Sequence, residues 1–303
     1  MKTLEMKKIS ILHLITAAKN ASPFDVNMAF DAGYDNIMPY TNVVLNEVVG
    51  LTQDAIFSRS PSGIKQEALF FGGRDIHLAL DMQKMARSAM FQPFEISTFS
   101  DPSGAFTTAA AMLAKVDAHL KLSGQSLSSQ TIAIFGASGT VGSTAALIAA
   151  RQGAKVQMMA HQTVEAMQAY VDTMQTRYDV KLEVVDGSTP QAKQAALAQA
   201  SVALCATPAG VRVLEKAHFV GSSSLRVVAD VNAVPPSGIE GVDAMTNGVA
   251  IEGTQIIGFG ALAIGQLKYV TQHKLLQQML ASEVPMHIDY HDAYDFACAN
   301  AGK

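Results

Sequence analysis

The run Gly136-Ala-Ser-Gly-Thr-Val-Gly142 is the part of the chain whose residue types and spacing most directly specify a chemistry. It follows the apolar stretch Thr131-Ile-Ala-Ile-Phe135 and leads into Val141 to Gln152, which has helical spacing. Glycines permit a tight turn and let backbone approach a pyrophosphate, and the free N–H groups and partial positive charge of a helix start favour anions. The context therefore predicts a nicotinamide dinucleotide site on a Rossmann unit beginning at Thr131, with Gly136, Ser138, Gly139, Thr140, Val141 and Gly142 as cofactor contacts. The spacing is G-x-x-G-x-x-G, and Ala137 stands where the first glycine of G-x-G-x-x-G would fall. An ordinary strand-to-helix turn is the competing reading, and the flanking strand, helix and second strand weigh against it.

Cofactor choice is expected at the end of the next strand, Lys155-Val-Gln-Met-Met159, where a carboxylate would hold the ribose 2'-hydroxyl of NAD and a basic group the phosphate of NADP. Here the chain reads Ala160, His161, Gln162, Thr163. No carboxylate repels a 2'-phosphate and no arginine demands one. His161 and Gln162 can donate hydrogen bonds to either ribose, so both cofactors are expected, NADP somewhat favoured; a plain surface histidine is the alternative for His161. Met158 and Met159 are expected to fill the core.

The elements that must position this turn follow an α/β rhythm. Strands are expected at Ile9 to Ile15, Ala55 to Ser58, Ala68 to Phe71 and Phe94 to Phe99, with a helix over Asp75 to Met90. After the turn Asp101-Pro-Ser-Gly104 comes the Ala-rich helix Phe106 to Leu122, and the polar segment Ser123 to Gln130 marks the domain change. The second series has strands at 131–135, 155–159, 181–185, 202–206, 226–230 and 255–258, with helices at 141–152, 164–177 and 191–199, and then the long helix Gly260 to Leu280. The fold class predicted is α/β, a Rossmann-type doubly wound parallel sheet plus a smaller α/β domain, with a cleft between them floored by the two long helices. The expected boundaries are 1–108, completed by the C-terminal helices 268–303, and 109–267 for the dinucleotide domain.

Composition narrows the class. The chain has 303 residues, 49% of them hydrophobic, enough for a sizeable core, and 22 basic against 26 acidic residues with no basic block, which argues against nucleic acid. Two distant cysteines, Cys205 and Cys298, give neither a metal spacing nor a disulfide framework, so no metal is expected and a reducing cytoplasm is. Lys2, Lys7 and Lys8 precede the apolar Ile9 to Ile15, but His13 interrupts that run, and Lys19 and Asn20 stand where a cleavage site would be needed, so it reads as a first strand and not a signal peptide. No uninterrupted apolar run is long enough to span a membrane, and a membrane is not an expected partner.

Three blocks carry a family resemblance. They are Ser22-Pro-Phe-Asp-Val-Asn-Met-Ala-Phe-Asp-Ala-Gly33 with Pro39-Tyr-Thr-Asn-Val43; Ser100-Asp-Pro-Ser-Gly-Ala-Phe-Thr-Thr-Ala-Ala-Ala111; and Ala229-Asp-Val-Asn-Ala-Val-Pro-Pro-Ser-Gly-Ile-Glu-Gly-Val-Asp243 with Gly258-Phe-Gly-Ala-Leu-Ala-Ile-Gly-Gln-Leu-Lys268. Together the chain resembles the NAD(P)-dependent branch of the methylene-tetrahydromethanopterin dehydrogenases of methylotrophic bacteria; Ala137 is the departure, and it bears on cofactor preference. The resemblance implies hydride transfer from a pterin methylene bridge to NAD or NADP in one-carbon (formaldehyde) oxidation, with the smaller domain binding the pterin. Such chemistry needs positioning and electrostatics more than an acid or base.

The resemblance also implies roles. Lys268 matches a cleft lysine that would orient the pterin, against a solvated surface lysine; Asp101 would contact the pterin or balance the developing cation, against a helix-start turn residue. Thr108 and Asn232 are candidates for the cofactor, and Asp25, Tyr40, Asn42 and Thr107 for the pterin, with hydroxyls bonded to their own helix as the alternative for both threonines. A homo-oligomer is expected. Two other functions remain in view: a methylene-tetrahydrofolate dehydrogenase, separable by comparing rates with the two pterins, and a non-catalytic nucleotide sensor, which would bind without turnover.

Overall fold

Short apolar strands alternating with helices demand parallel sheets, because a strand can rejoin its neighbour in the same direction only by a crossover. The computed structural model, which describes residues 9–302, contains two such sheets. Lys2, Lys7 and Lys8 lie outside the described residues. The elements run β1 (Ile11–Ile15), α1 (Pro23–Ala32), β2 (Asn36–Tyr40), α2 (Val48–Phe57), β3 (Glu67–Phe71), α3 (Ile76–Ser88), β4 (Ser97–Ser100), α4 (Ala105–Lys121), β5 (Thr131–Phe135), α5 (Thr140–Arg151), β6 (Lys155–Ala160), α6 (Val164–Tyr178), β7 (Glu183–Asp186), α7 (Pro190–Leu197), β8 (Val202–Cys205), β9 (Val227–Asp230), β10 (Asn247–Ala250), β11 (Ile257–Phe259), α8 (Ala261–Ala281), β12 (His287–Ile288) and α9 (Tyr290–Asn300). Among the described residues they form two compact units: 9–106 with Val270–Ala293, and Thr107–Tyr269 with 294–302. The last part of α9 thus groups with the second unit, whereas the sequence reading gave 268–303 as a whole to the first.

The first unit is a five-stranded parallel sheet in the order β2-β1-β3-β4-β12. The chain leaves β1 to one side for β2 and returns to the other for β3, so the strand order reverses between β1 and β3, the place where open α/β sheets take ligands. One face packs Ile15, Leu69 and Phe71 against Val48, Ala55 and Ile56 of α2 and Ala79, Met82 and Ala86 of α3. On the other, Leu14 and Phe70 lie beside Asp25 of α1 at Gly72.

The sequence reading placed a strand at Ala55 to Ser58, and this is corrected: those residues end helix α2. Val48, Thr52, Ala55 and Ile56 are its buried residues, spaced so that they share one helical face, and the apolar Ala-Ile-Phe run is only the visible end of that stripe. The strand expected over Phe94 to Phe99 is the shorter β4.

In the second unit the order β10-β11-β9-β8-β5-β6-β7 is the 3-2-1-4-5-6 arrangement of a dinucleotide fold, with antiparallel β10 added at one edge. Its reversal lies between β5 and β8. A core of Ala133, Phe135, Met159, Leu197, Cys205 and Val228 holds one face. No helix among the described residues is long and apolar enough to cross a membrane.

Candidate functional site

Position and backbone together give the glycine turn the features that an anion site needs. Gly136 leaves β5 with φ +75°, and a Cβ there would strike the Ala206 carbonyl oxygen and stand 2.6 Å from its carbon, so the β5 and β8 ends touch backbone to backbone. A Cβ on Gly142 would strike the Gly136 carbonyl oxygen and stand 2.9 Å from Ala137 Cα, which lets α5 press against the turn. Gly139 is the N-cap of α5 and has no side chain to accept the first-turn N–H groups. A cavity of about 570 Å³ opens over this point, lined by Gly136, Ser138, Gly139, Thr140 and Val141. Gly142 is not part of the lining; its role is packing.

The different demands on two helical glycines give a paired stability test. Gly142→Ala is expected to cost about 2–3 kcal/mol by overpacking. Gly50→Ala, on α2 where nothing lies within 4 Å of the added carbon, is expected to stabilise by roughly 0.5–1 kcal/mol. Urea unfolding midpoints read both, and equal effects at the two positions would contradict the packing assigned to Gly142.

His161, exposed directly after β6, also lines the cavity. Gln162 is exposed and outside the lining, and Thr163 is spent as the N-cap of α6, accepting from Ala166 N at 3.2 Å. The reading missed several wall residues. Met159 serves both core and cavity wall, Gly187 follows β7, and Thr207 and Pro208 follow β8. Gly187, Thr207 and Pro208 share a signal, position just beyond the carboxyl end of a strand, a rule that could have been applied to every strand of the series.

The ends of β8 and β9 are built around a buried carboxylate. Asp230 accepts from Asn232 N at 2.9 Å and Ile239 N at 3.1 Å, yet burial outweighs these bonds and raises its pKa. Beside it the Cys205 thiol, bonded to Thr207 Oγ1 at 3.3 Å, is pushed up to about 12 by burial and by Asp230, so it stays protonated and is no nucleophile. Asn232 does not line the cavity. Its amide oxygen accepts from Gly210 N and Val234 N and its nitrogen donates to Pro236 O, so it organises two loops.

Among the other candidates, Lys268 is 9% exposed on α8, which removes the solvated-surface reading. Asp101 is fully buried after β4, its Oδ1 accepting from Phe106 N at 2.9 Å in the manner of a helix-start residue. On α4, Thr107 is fully buried and Thr108 half-buried. Asp25 is buried in the first turn of α1, at the β1/β3 reversal, and accepts from Gln272 Nε2 at 3.1 Å. Tyr40 lies elsewhere: it is level with Ile15 on the α2 face of the sheet and its hydroxyl bonds His13 Nδ1 at 3.2 Å. Asn42 is exposed with φ +56°. Asp25 and Tyr40 therefore sit on opposite faces of one sheet and do not share a pocket in this unit.

Comparison with known proteins bears on this arrangement. Residues 23–103 match the family described as methylene-tetrahydromethanopterin dehydrogenase, N-terminal. The chain is 43% identical to the NAD(P)-dependent methylenetetrahydromethanopterin dehydrogenase of Methylorubrum extorquens over 97% of its own length and 99% of that protein's. It is also 30% identical to the bifunctional protein MdtA of the same organism, over 86% of this chain and 88% of the relative. Among solved structures, shikimate 5-dehydrogenase of Listeria monocytogenes has TM-score 0.51 at 15% identity, covering 92% of this chain and 93% of that one. Quinate dehydrogenase of Corynebacterium glutamicum has TM-score 0.52 at 14% identity, covering 96% and 99%. At such identities these two show the shared fold.

Proposed function

The chain belongs to the family of NAD(P)-dependent methylenetetrahydromethanopterin dehydrogenases, and on that premise we propose that it oxidises methylene-tetrahydromethanopterin to the methenyl form in one-carbon oxidation. The observation that carries the proposal within the chain is the glycine turn at the β5/β8 reversal, with an uncapped helix start beneath a cavity of about 570 Å³. Its features fit a dinucleotide: Gly139 puts no side chain over the start of α5, whose first-turn N–H groups would hold the pyrophosphate. A bound nicotinamide supplies a two-electron hydride acceptor.

The chain's own residues then have a limited task. The C–H bond of the methylene carbon breaks with its electron pair, the two adjacent nitrogens share the positive charge, and no proton leaves. No nucleophile or general base is required, which is consistent with a protonated Cys205. We assign Ser138, Gly139, Thr140 and Val141 to the pyrophosphate and His161 to the adenosine ribose. Lys268, buried on α8, orients the pterin, and Asp101 balances the developing cation from the turn before α4. Asp25, at the reversal of the first sheet, is the better placed of the remaining pterin candidates. The two free cysteines suit a reducing cytoplasm, and self-association, measured as mass by light scattering, is expected.

The test is an absorbance assay of methylene-tetrahydromethanopterin and methylene-tetrahydrofolate, each with NAD and with NADP. Turnover of the methanopterin derivative at the higher kcat/KM is expected; a preference for the folate would replace the proposed substrate. His161→Asp should move the ratio of NADP to NAD specificity constants toward NAD by about tenfold or more, because a carboxylate repels the 2'-phosphate and accepts from the ribose hydroxyl. A ratio that stays put would remove His161 from the ribose.

A further inference from the structure

The first unit has a cavity of its own that the proposed hydride transfer does not use. It measures about 400 Å³, within the range of small-molecule pockets, and lies between the sheet and α2. Ile11, Ile15 and Leu69 from the strands and Leu51 and Ala55 from α2 give it apolar walls. Five titratable groups line it: His13, Tyr40, Asp54, Arg59 and Glu67.

Their pairing leaves a definite charge. Glu67 is buried, with Arg59 Nε 2.8 Å from one carboxylate oxygen and His13 Nε2 3.3 Å from the other, and Ser58 Oγ donates to it at 3.2 Å. The Arg59 guanidinium also donates to Ile9 O at 2.7 Å, so its positive charge is consumed at that end. His13 Nδ1 meets the Tyr40 hydroxyl at 3.2 Å, and the two rings lie 5.8 Å apart, tilted by 39°. Asp54 is exposed and, among the described residues, has no ion-pair or hydrogen-bond partner. The balance is one uncompensated carboxylate beside two aromatic faces and apolar walls. The raised pKa of Tyr40, caused by burial first and then by Glu67 and Asp54, agrees with a negative potential there.

From this geometry we propose that the cavity between α2 and the sheet binds a small organic cation, an ammonium group on a ring or short alkyl body. The body fills the space between Leu51, Ala55 and the strand residues. The ammonium lies between the Asp54 carboxylate and the faces of His13 and Tyr40, where ring quadrupole and carboxylate both attract it.

The probe is benzylammonium, with benzyl alcohol and benzoate as neutral and anionic counterparts of the same shape, followed by saturation-transfer NMR and calorimetry on the full chain. Benzylammonium should bind and benzoate should not. Asp54→Asn, an exposed near-isosteric change, should weaken it about fivefold. Leu51→Trp, on the half-buried side of α2, should fill the cavity and abolish binding, with dinucleotide affinity unchanged in both variants. Equal binding of all three probes, no binding of any, or undiminished binding to Leu51→Trp would overturn the site. Displacement of benzylammonium by saturating methylene-tetrahydromethanopterin would equally overturn it, by making the cavity part of the substrate pocket.

Discussion

Lys268→Ala is expected to lose about 10²-fold or more in turnover while dinucleotide affinity stays near the wild-type value. The reasoning starts from burial. A lysine only 9% exposed has given up most of the hydration of its ammonium, a cost that surface lysines avoid by keeping the head group in water. A helix position eight residues into α8 holds its Cα firmly, so the side chain can fix a substrate within a fraction of an ångström. Misplacing a reacting carbon by roughly 1 Å costs about the stated factor. The proposed function places the dinucleotide on the β5/α5 turn, hence the separation of the two readouts. Lys268→Met, which keeps the apolar stem, controls for lost packing and should show the same turnover deficit. Parallel loss of affinity and turnover would make the lysine structural, and normal values of both would end its assignment.

Gly139→Val is expected to remove measurable NAD and NADP binding from a protein that still folds. Its φ of −75° and ψ of 163° are open to any residue, and an added Cβ would meet only Gly136 O at 3.3 Å and Ala206 O at 3.9 Å. The fold thus loses about 1–2 kcal/mol, from a poorer N-cap and from a shift of a few tenths of an ångström at the Gly136 carbonyl. The branched methyl groups, however, would stand over the first-turn N–H groups, to which the proposed function assigns the pyrophosphate. Calorimetric titration with NADP and a thermal melt on the same sample read the two effects. Retained affinity in a folded variant would take the pyrophosphate away from this turn.

Legibility from sequence followed the range of the physics involved. The glycine turn could be read because strand, turn and helix start are local, and backbone packing requires glycine at both Gly136 and Gly142, seven residues end to end. The doubly wound parallel class of the second sheet followed from the same strand–helix rhythm. The strand expected at Ala55 to Ser58 failed because a short apolar run does not distinguish the end of a helical stripe from a buried strand. Strands β10 and β12, of four and two residues, exist by pairing with β11 and β4 and leave little periodicity to detect. Asn232 was correctly placed at a strand end, but only three-dimensional structure shows its amide engaged by Gly210, Val234 and Pro236. The cavity under α2 was invisible for the same reason. It depends on parallel register that sets Ile11 beside Glu67 and Ile15 beside Tyr40, pairs more than twenty residues apart in sequence.

The central claim, hydride transfer from a pterin methylene to a nicotinamide, is tested most directly by isotope. Methylene-tetrahydromethanopterin carrying deuterium in the methylene bridge is turned over with NADP, and the reduced dinucleotide is analysed by mass spectrometry. Direct transfer predicts one deuterium per transferred group in the reduced cofactor and none released to water, with a slowed rate wherever C–H cleavage limits turnover. Deuterium appearing in solvent, or an unlabelled reduced cofactor formed at the full rate, would contradict it.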